Sequence, residues 1–198
     1  LLGLAQPATA QTLLLRYSFD EASSGTGTAY DSSGAAPQAN GTFSGTATRT
    51  APGAGNVAVA ALSTGGSTGY IDAGDVDKLD GLQQFTLTTW LNLRADPTNG
   101  YSIMGKRSTS SAGFALLFGN QTGGSAPTAS SFTIKLRVGS LVGGSSANMS
   151  ADNAWVFVAV TYDGTLSSGN VHYYIGRATT PVSQSGGSPS LNGGAVVA

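Results

Sequence analysis

One glutamate (Glu21) and one histidine (His172) are the whole supply of those residue types in 198 residues. That scarcity narrows the chemistry at once. Glycoside hydrolysis needs two carboxyl groups flanking the scissile bond. Glu21 has Asp20 beside it, but neighbours along an extended chain point to opposite sides. Nucleophilic hydrolysis needs a histidine base held against its nucleophile. His172 alternates out of phase with the apolar Val171, Tyr173 and Ile175, which places it on the outer face of a strand, away from a core. The chain is therefore expected not to be an enzyme.

The remaining chemistry-bearing residues are aromatics and aspartates. Trp90 is out of phase with Phe85, Leu87, Leu91 and Leu93, and Tyr174 is out of phase with Tyr173 and Ile175. Both should face away from the apolar side of their strands. On an open sheet face they would form a stacking platform for the C–H faces of sugars; under covering loops they would be buried, as large aromatics usually are. Trp155 opens an apolar run and reads as core. The Asp72-x-x-Asp75-x-Asp77-x-x-Asp80 series is not an EF-hand. Counted from Asp75, Leu79 stands at the third oxygen position, Asp80 at the glycine and Thr86 at the closing glutamate. It reads first as a solvated acidic loop, with a weak calcium site as the alternative.

These side chains must be positioned by strands. Glycine occurs 29 times and charged residues make up only 10% of the chain, while 40% is hydrophobic. Many turns and few charges point to short strands rather than helices or disorder. Alternation predicts strands over 12–19, 57–62, 69–72, 85–93, 101–106, 114–118, 132–138 and 171–175. The run 155–162, apolar almost throughout, reads as a central strand covered on both faces. Residues 20–55 read as a polar connection with turn signals at Asp31-Ser32-Ser33-Gly34 and Asn40-Gly41. One turn of helix fits around 76–82. The expected fold is all-β, a two-sheet antiparallel sandwich.

Nine Lys plus Arg against ten Asp plus Glu give a net charge of −1. Scattered single cations leave no footprint for nucleic acid. No apolar run is long enough to span a membrane, and with no Cys there are no disulfides or thiolate sites. The opening Leu1–Gln11 has an apolar stretch ending in Ala8-Thr9-Ala10, the pattern of a secretory signal cut before Gln11. Residues 1–10 are thus expected to be a signal remnant, and residues 11–198 a single domain lacking its final strand. The apolar Ala195–Ala198 reads as a strand cut off as it begins.

Several pieces, in this order and spacing, resemble a known family. They are Leu15–Glu21, Asp31–Gly34, Tyr70-Ile71-Asp72, Phe85–Trp90, Ile103–Lys106, Trp155–Gly164 and Val171–Gly176. Together they resemble the laminin-G-like, concanavalin-A-like jelly-roll domains of secreted bacterial surface proteins. The resemblance covers roughly residues 13 to 180. It implies a jelly-roll sandwich, secretion or cell-surface location, and a non-catalytic module for adhesion or for binding an extracellular glycan or protein. Catalytic relatives carry a Glu-x-Asp-x-x-Glu-like strand that a chain with one Glu cannot supply. The closing Ile-Asp-Asp-Val-like strand of the family is missing here.

The resemblance also implies a structural calcium ion, held by an Asp, an Asn and carbonyls where long loops meet. Asp20, Asp31 and Asn40 bracket such a loop and offer the hard oxygen ligands Ca²⁺ takes; Asp31 and Asn40 equally suit Asx turns. Trp90 and Tyr174 are the expected ligand-binding residues. The alternative is a structural subunit of an extracellular assembly, a homo-oligomer or a piece between neighbouring domains. In that case an exposed first strand accepts a strand from a neighbour.

Overall fold

The computed structural model describes residues 11–19, 26–49, 62–63, 69–92, 101–108, 112–118, 133–145, 149, 154–186 and 189–191. Several sequence expectations lie outside these residues. They are the signal remnant 1–10, Asp20 and Glu21, most of the strand 57–62, and Ala195–Ala198. The described residues are all-β, with a single 3-10 turn and no α-helix. They fall into two compact units, Leu1–Lys78 and Leu79–Ala198.

The first unit holds β1 (Thr28–Ala29), β2 (Gly41–Ser44), β3 (Thr48–Arg49), β4 (Leu62–Ser63) and β5 (Tyr70–Asp72). The order β1-β2-β5 forms one antiparallel sheet, and β3 pairs with β4. Ala29, Phe43 and Ala47 make a small core, with Tyr17, Phe19 and Ile71 packed against it. The buried Arg49 adds its guanidinium to this core, 5.7 Å over the Phe43 ring, and donates to the Thr28 carbonyl.

The strand expected at 12–19 is not a ladder strand. It makes one isolated bridge, Tyr17 to Asp31, and Leu13 stays half exposed. The cause is local: the Asp31 carboxylate takes the Arg16 N–H, and the Ser33 hydroxyl donates to the Leu14 carbonyl. Side chains thus supply bonds that a partner strand would otherwise make. The connection expected at 20–55 likewise contains the short β1, β2 and β3.

The second unit contains β6 (Gln84–Asn92), β7 (Tyr101–Lys106), β8 (Phe114–Phe118), β9 (Ile134–Val138), β10 (Leu141–Ser145), β11 (Trp155–Asp163), β12 (Val171–Arg177) and β13 (Thr180–Gln184). They form two four-stranded antiparallel sheets, ordered β10-β9-β8-β7 and β13-β12-β11-β6. These pack face to face as a sandwich of jelly-roll type. From one sheet come Leu116, Ile134 and Leu136; from the other, Val156, Val158, Val160, Tyr162, Val171 and Tyr173. Phe85 bridges the layers, 5.0 Å from the Phe114 ring and 5.2 Å from Tyr162.

A bulge between Val142 and Ser145 disturbs the β9–β10 ladder. The Leu136 N–H points instead at the buried Tyr173 hydroxyl, 2.8 Å away on the opposite sheet. Burial raises the Tyr173 pKa to about 12, only partly offset by the Leu136 bond. The phenol therefore stays neutral. Asn170 is also buried and ties Leu191 to the β11–β12 connection through its amide.

β11 is central, as expected, but only one of its faces is core. Val156, Val158, Val160 and Tyr162 point inward, while Trp155, Phe157 and Thr161 are half-buried on the other side. Trp155 is thus not a core residue. The inward set is valine plus one tyrosine, which a general count of apolar residues conceals.

Candidate functional site

The outward face of the sheet β13-β12-β11-β6 carries one exposed aromatic, Trp90, with the half-buried Phe157 and Tyr174 on the same side; Tyr30 and Tyr70, also exposed, belong to the first unit. Antiparallel register sets Trp90 opposite Phe157, and Phe157 opposite Gly176, so the three stand side by side on neighbouring strands. The Trp90 and Phe157 rings lie 5.4 Å apart with a 60° tilt, a separation within the attractive range for aromatic pairs. Phe157 braces the indole from the side while Trp90 remains 54% exposed. Tyr174 lies opposite Ala159 and Gln184 on the same face. Trp90 and Tyr174 are therefore brought together on one surface, and Trp90 is not covered.

Further polar side chains stand along the same face. Thr86 and Thr88 point outward from β6; Thr161 is opposite Thr86 and also opposite His172. His172 faces outward as expected, its Nδ1 3.5 Å from the Gln184 amide. Val182 completes the face, 54% exposed beside Gly176. Sequence reasoning missed Phe157 and Val182. The first was legible in the regular alternation of valine with other residues along β11; the second depends on a bulge between Ile175 and Arg177, which has no such signature.

Asp31 and Asn40, expected as metal ligands, also meet, but in another arrangement. The Asn40 side-chain oxygen accepts the Asp31 N–H at 2.9 Å. The Asp31 carboxylate accepts N–H bonds from Arg16, Ser33 and Ala39. Its remaining partner is Lys78, whose Nζ lies 2.6 Å away and also donates to the Ala35 carbonyl. Burial pushes the Asp31 pKa up, but the Lys78 bond and then the Ser33 and Ala39 donors outweigh it and hold the carboxyl well below its usual range. Lys78 supplies the positive charge a calcium ion would bring, so this donor set does not fit a metal. The bond to Ser33 is an Asx turn, the second role the sequence allowed.

Asp75, Asp77 and Asp80, on and beside the 3-10 turn Asp77–Leu79, hold carboxylate oxygens within 4.8 Å of one another. This cluster could bind a metal, and the Asp80 carboxylate also pairs with Lys106 at 2.5 Å.

Comparison with known proteins adds one finding. Residues 64–196 match the laminin G model of the concanavalin A-like lectin/glucanases superfamily. The chain belongs to this superfamily. No curated protein and no solved structure matches it. The concanavalin A-like match covers all eight strands of the sandwich. Membership fits a carbohydrate- or protein-binding module. Laminin-G-like domains are generally non-catalytic and typically extracellular, although the superfamily's name spans lectins and glucanases alike. No helix among the described residues is long and apolar enough to cross a membrane.

Proposed function

We propose that this chain is a non-catalytic module that binds extracellular glycan through the outward face of the sheet β13-β12-β11-β6. One observation carries the reading: an indole left half exposed on a regular sheet, braced by Phe157, with Thr88 and Asn92 as its neighbours on the same face of β6. Monomeric proteins rarely leave large apolar groups together in water without a use. A ring that stacks and neighbours that hydrogen-bond are what a sugar, apolar on its faces and polar at its rim, requires. Residues 11–198 act as one such module after removal of a secretory signal in residues 1–10.

Retardation in gels containing polysaccharides tests the reading. The protein is slowed by at least one polysaccharide, and Trp90→Ala abolishes the effect. Equal mobility of both proteins through every gel would overturn the proposal. The non-catalytic part is tested on whichever polysaccharide slows the protein, where release of reducing ends would contradict it. A structural calcium ion belongs to this proposal only at Asp75, Asp77 and Asp80. An ion held only by the native state must raise its stability, so EDTA lowers the melting temperature if the ion is there and leaves it unchanged otherwise.

A further inference from the structure

The aromatic row crosses the strands rather than running along them. Trp90, Phe157 and Gly176 occupy successive strands at one level. The row would end at Gly176, which has no side chain, but the β12–β13 bulge brings Val182 over it. A Cβ on Gly176 would come 2.6 Å from Val182 Cγ2 and 3.1 Å from its Cα. Val182 thus occupies the place a side chain at residue 176 would take, and it does so while remaining 54% exposed. With neighbouring strands ~4.8 Å apart, the four-strand row spans about 14 Å. That is the length of a short oligosaccharide, not of one sugar.

Among the described residues, charge on this face is nearly absent. The outward positions of the four strands carry no Lys or Arg. Their one carboxylate, Asp163, is at the far end of β11, opposite Gln84 and six residues along from Trp90's partner Phe157. Its Oδ1 is already engaged by the N–H and hydroxyl of Thr165. The row has neither cations for sulfate or uronate nor the oxygen set that calcium requires.

We infer that this face recognises an uncharged polysaccharide lying across the strands from Trp90 to Val182, without a metal ion, with Val182 contacting the third sugar. The inference rests on the glycan-binding reading above and adds chain length, neutrality and metal independence to it. Gly176 is a positioning residue, because any side chain there displaces Val182.

The test is calorimetric titration with gluco-, xylo- and manno-oligosaccharides of one to four units, alongside heparin and polygalacturonate, with and without EDTA and at low and high salt. For the neutral series that binds, affinity rises to three units and then levels off, unchanged by EDTA or salt. Trp90→Ala weakens every length by about tenfold or more, the loss expected for an anchoring aromatic. Val182→Ser, an exposed change that leaves the core intact, weakens the trisaccharide severalfold and spares the disaccharide. Gly176→Ala does the same. Binding that EDTA abolishes, that is confined to the acidic polymers, or that ignores Val182 would sink the inference while leaving glycan binding itself standing. No binding by any polysaccharide would take both.

Discussion

At the residue scale, the buried Asp31–Lys78 pair organises the first unit, since Asp31 collects the Arg16, Ser33 and Ala39 amides as well as the ammonium. Removing one partner of a buried pair costs about 3–5 kcal/mol because it strands the other charge. Asp31→Ala therefore lowers the urea midpoint strongly, and adding Lys78→Met recovers part of the loss; an additive double variant would refute the coupling. The depressed Asp31 pKa also fixes a direction with pH. Its contribution is fully present above the unfolded carboxyl value of about 4 and is lost as pH falls through the folded value. Wild-type melting temperature thus drops in acid more than that of Asp31→Asn, and parallel pH profiles would contradict this. Tyr173→Phe leaves the buried Leu136 N–H without its acceptor and costs about 1–3 kcal/mol in chemical denaturation. Neither partnership was legible in the sequence. Lys78 is 47 residues from Asp31, and composition does not say which carboxylate meets which cation.

At the scale of elements, apolar patterning located β6, β7, β8, β9 and β12, and an apolar run located β11, each to within about two residues, because every one of them contributes side chains to the core. The strands it missed lack that constraint. All five residues of β13 are exposed, and β10 is glycine-rich, Leu-Val-Gly-Gly-Ser. Such strands form because a neighbour offers a ladder, not because their own pattern demands it. The β7–β8 connection supplies the test at this scale. Gly113 sits at φ +80°, and a Cβ there would land inside the Lys106 carbonyl. Gly113→Ala is expected to destabilise by at least about 1–3 kcal/mol through backbone strain, with the clash against the Lys106 carbonyl adding to it and wild-type-like melting the contrary result. Pro181 and the bulge mark β13 as an edge strand of its sheet, features that exposed edges commonly carry.

At the scale of the whole molecule, the two units differ sharply in what holds them. Among the described residues, the first has three buried hydrophobic side chains in its core, all small or marginal except Phe43, whereas the sandwich core has eleven. Burial of apolar area is the main stabilising term, so local opening of the first unit should be far less costly than opening of the second. Native-state hydrogen exchange checks this: amides of β2 and β5 exchange faster than those of β11 and β12, and equal protection would refute it. The charge-poor, glycine-rich composition pointed to short strands but does not choose a face of the sheet. The proposed face rests on Trp90, and the same residue has an optical consequence. The protein contains only two tryptophans, Trp90 and Trp155, and both stand on the outward side of the same sheet. An indole in contact with water emits at long wavelength, and a sugar laid over it would move that emission to shorter wavelength. The molecule carries, at one end of its own candidate site, an intrinsic fluorophore that reports occupancy without a label.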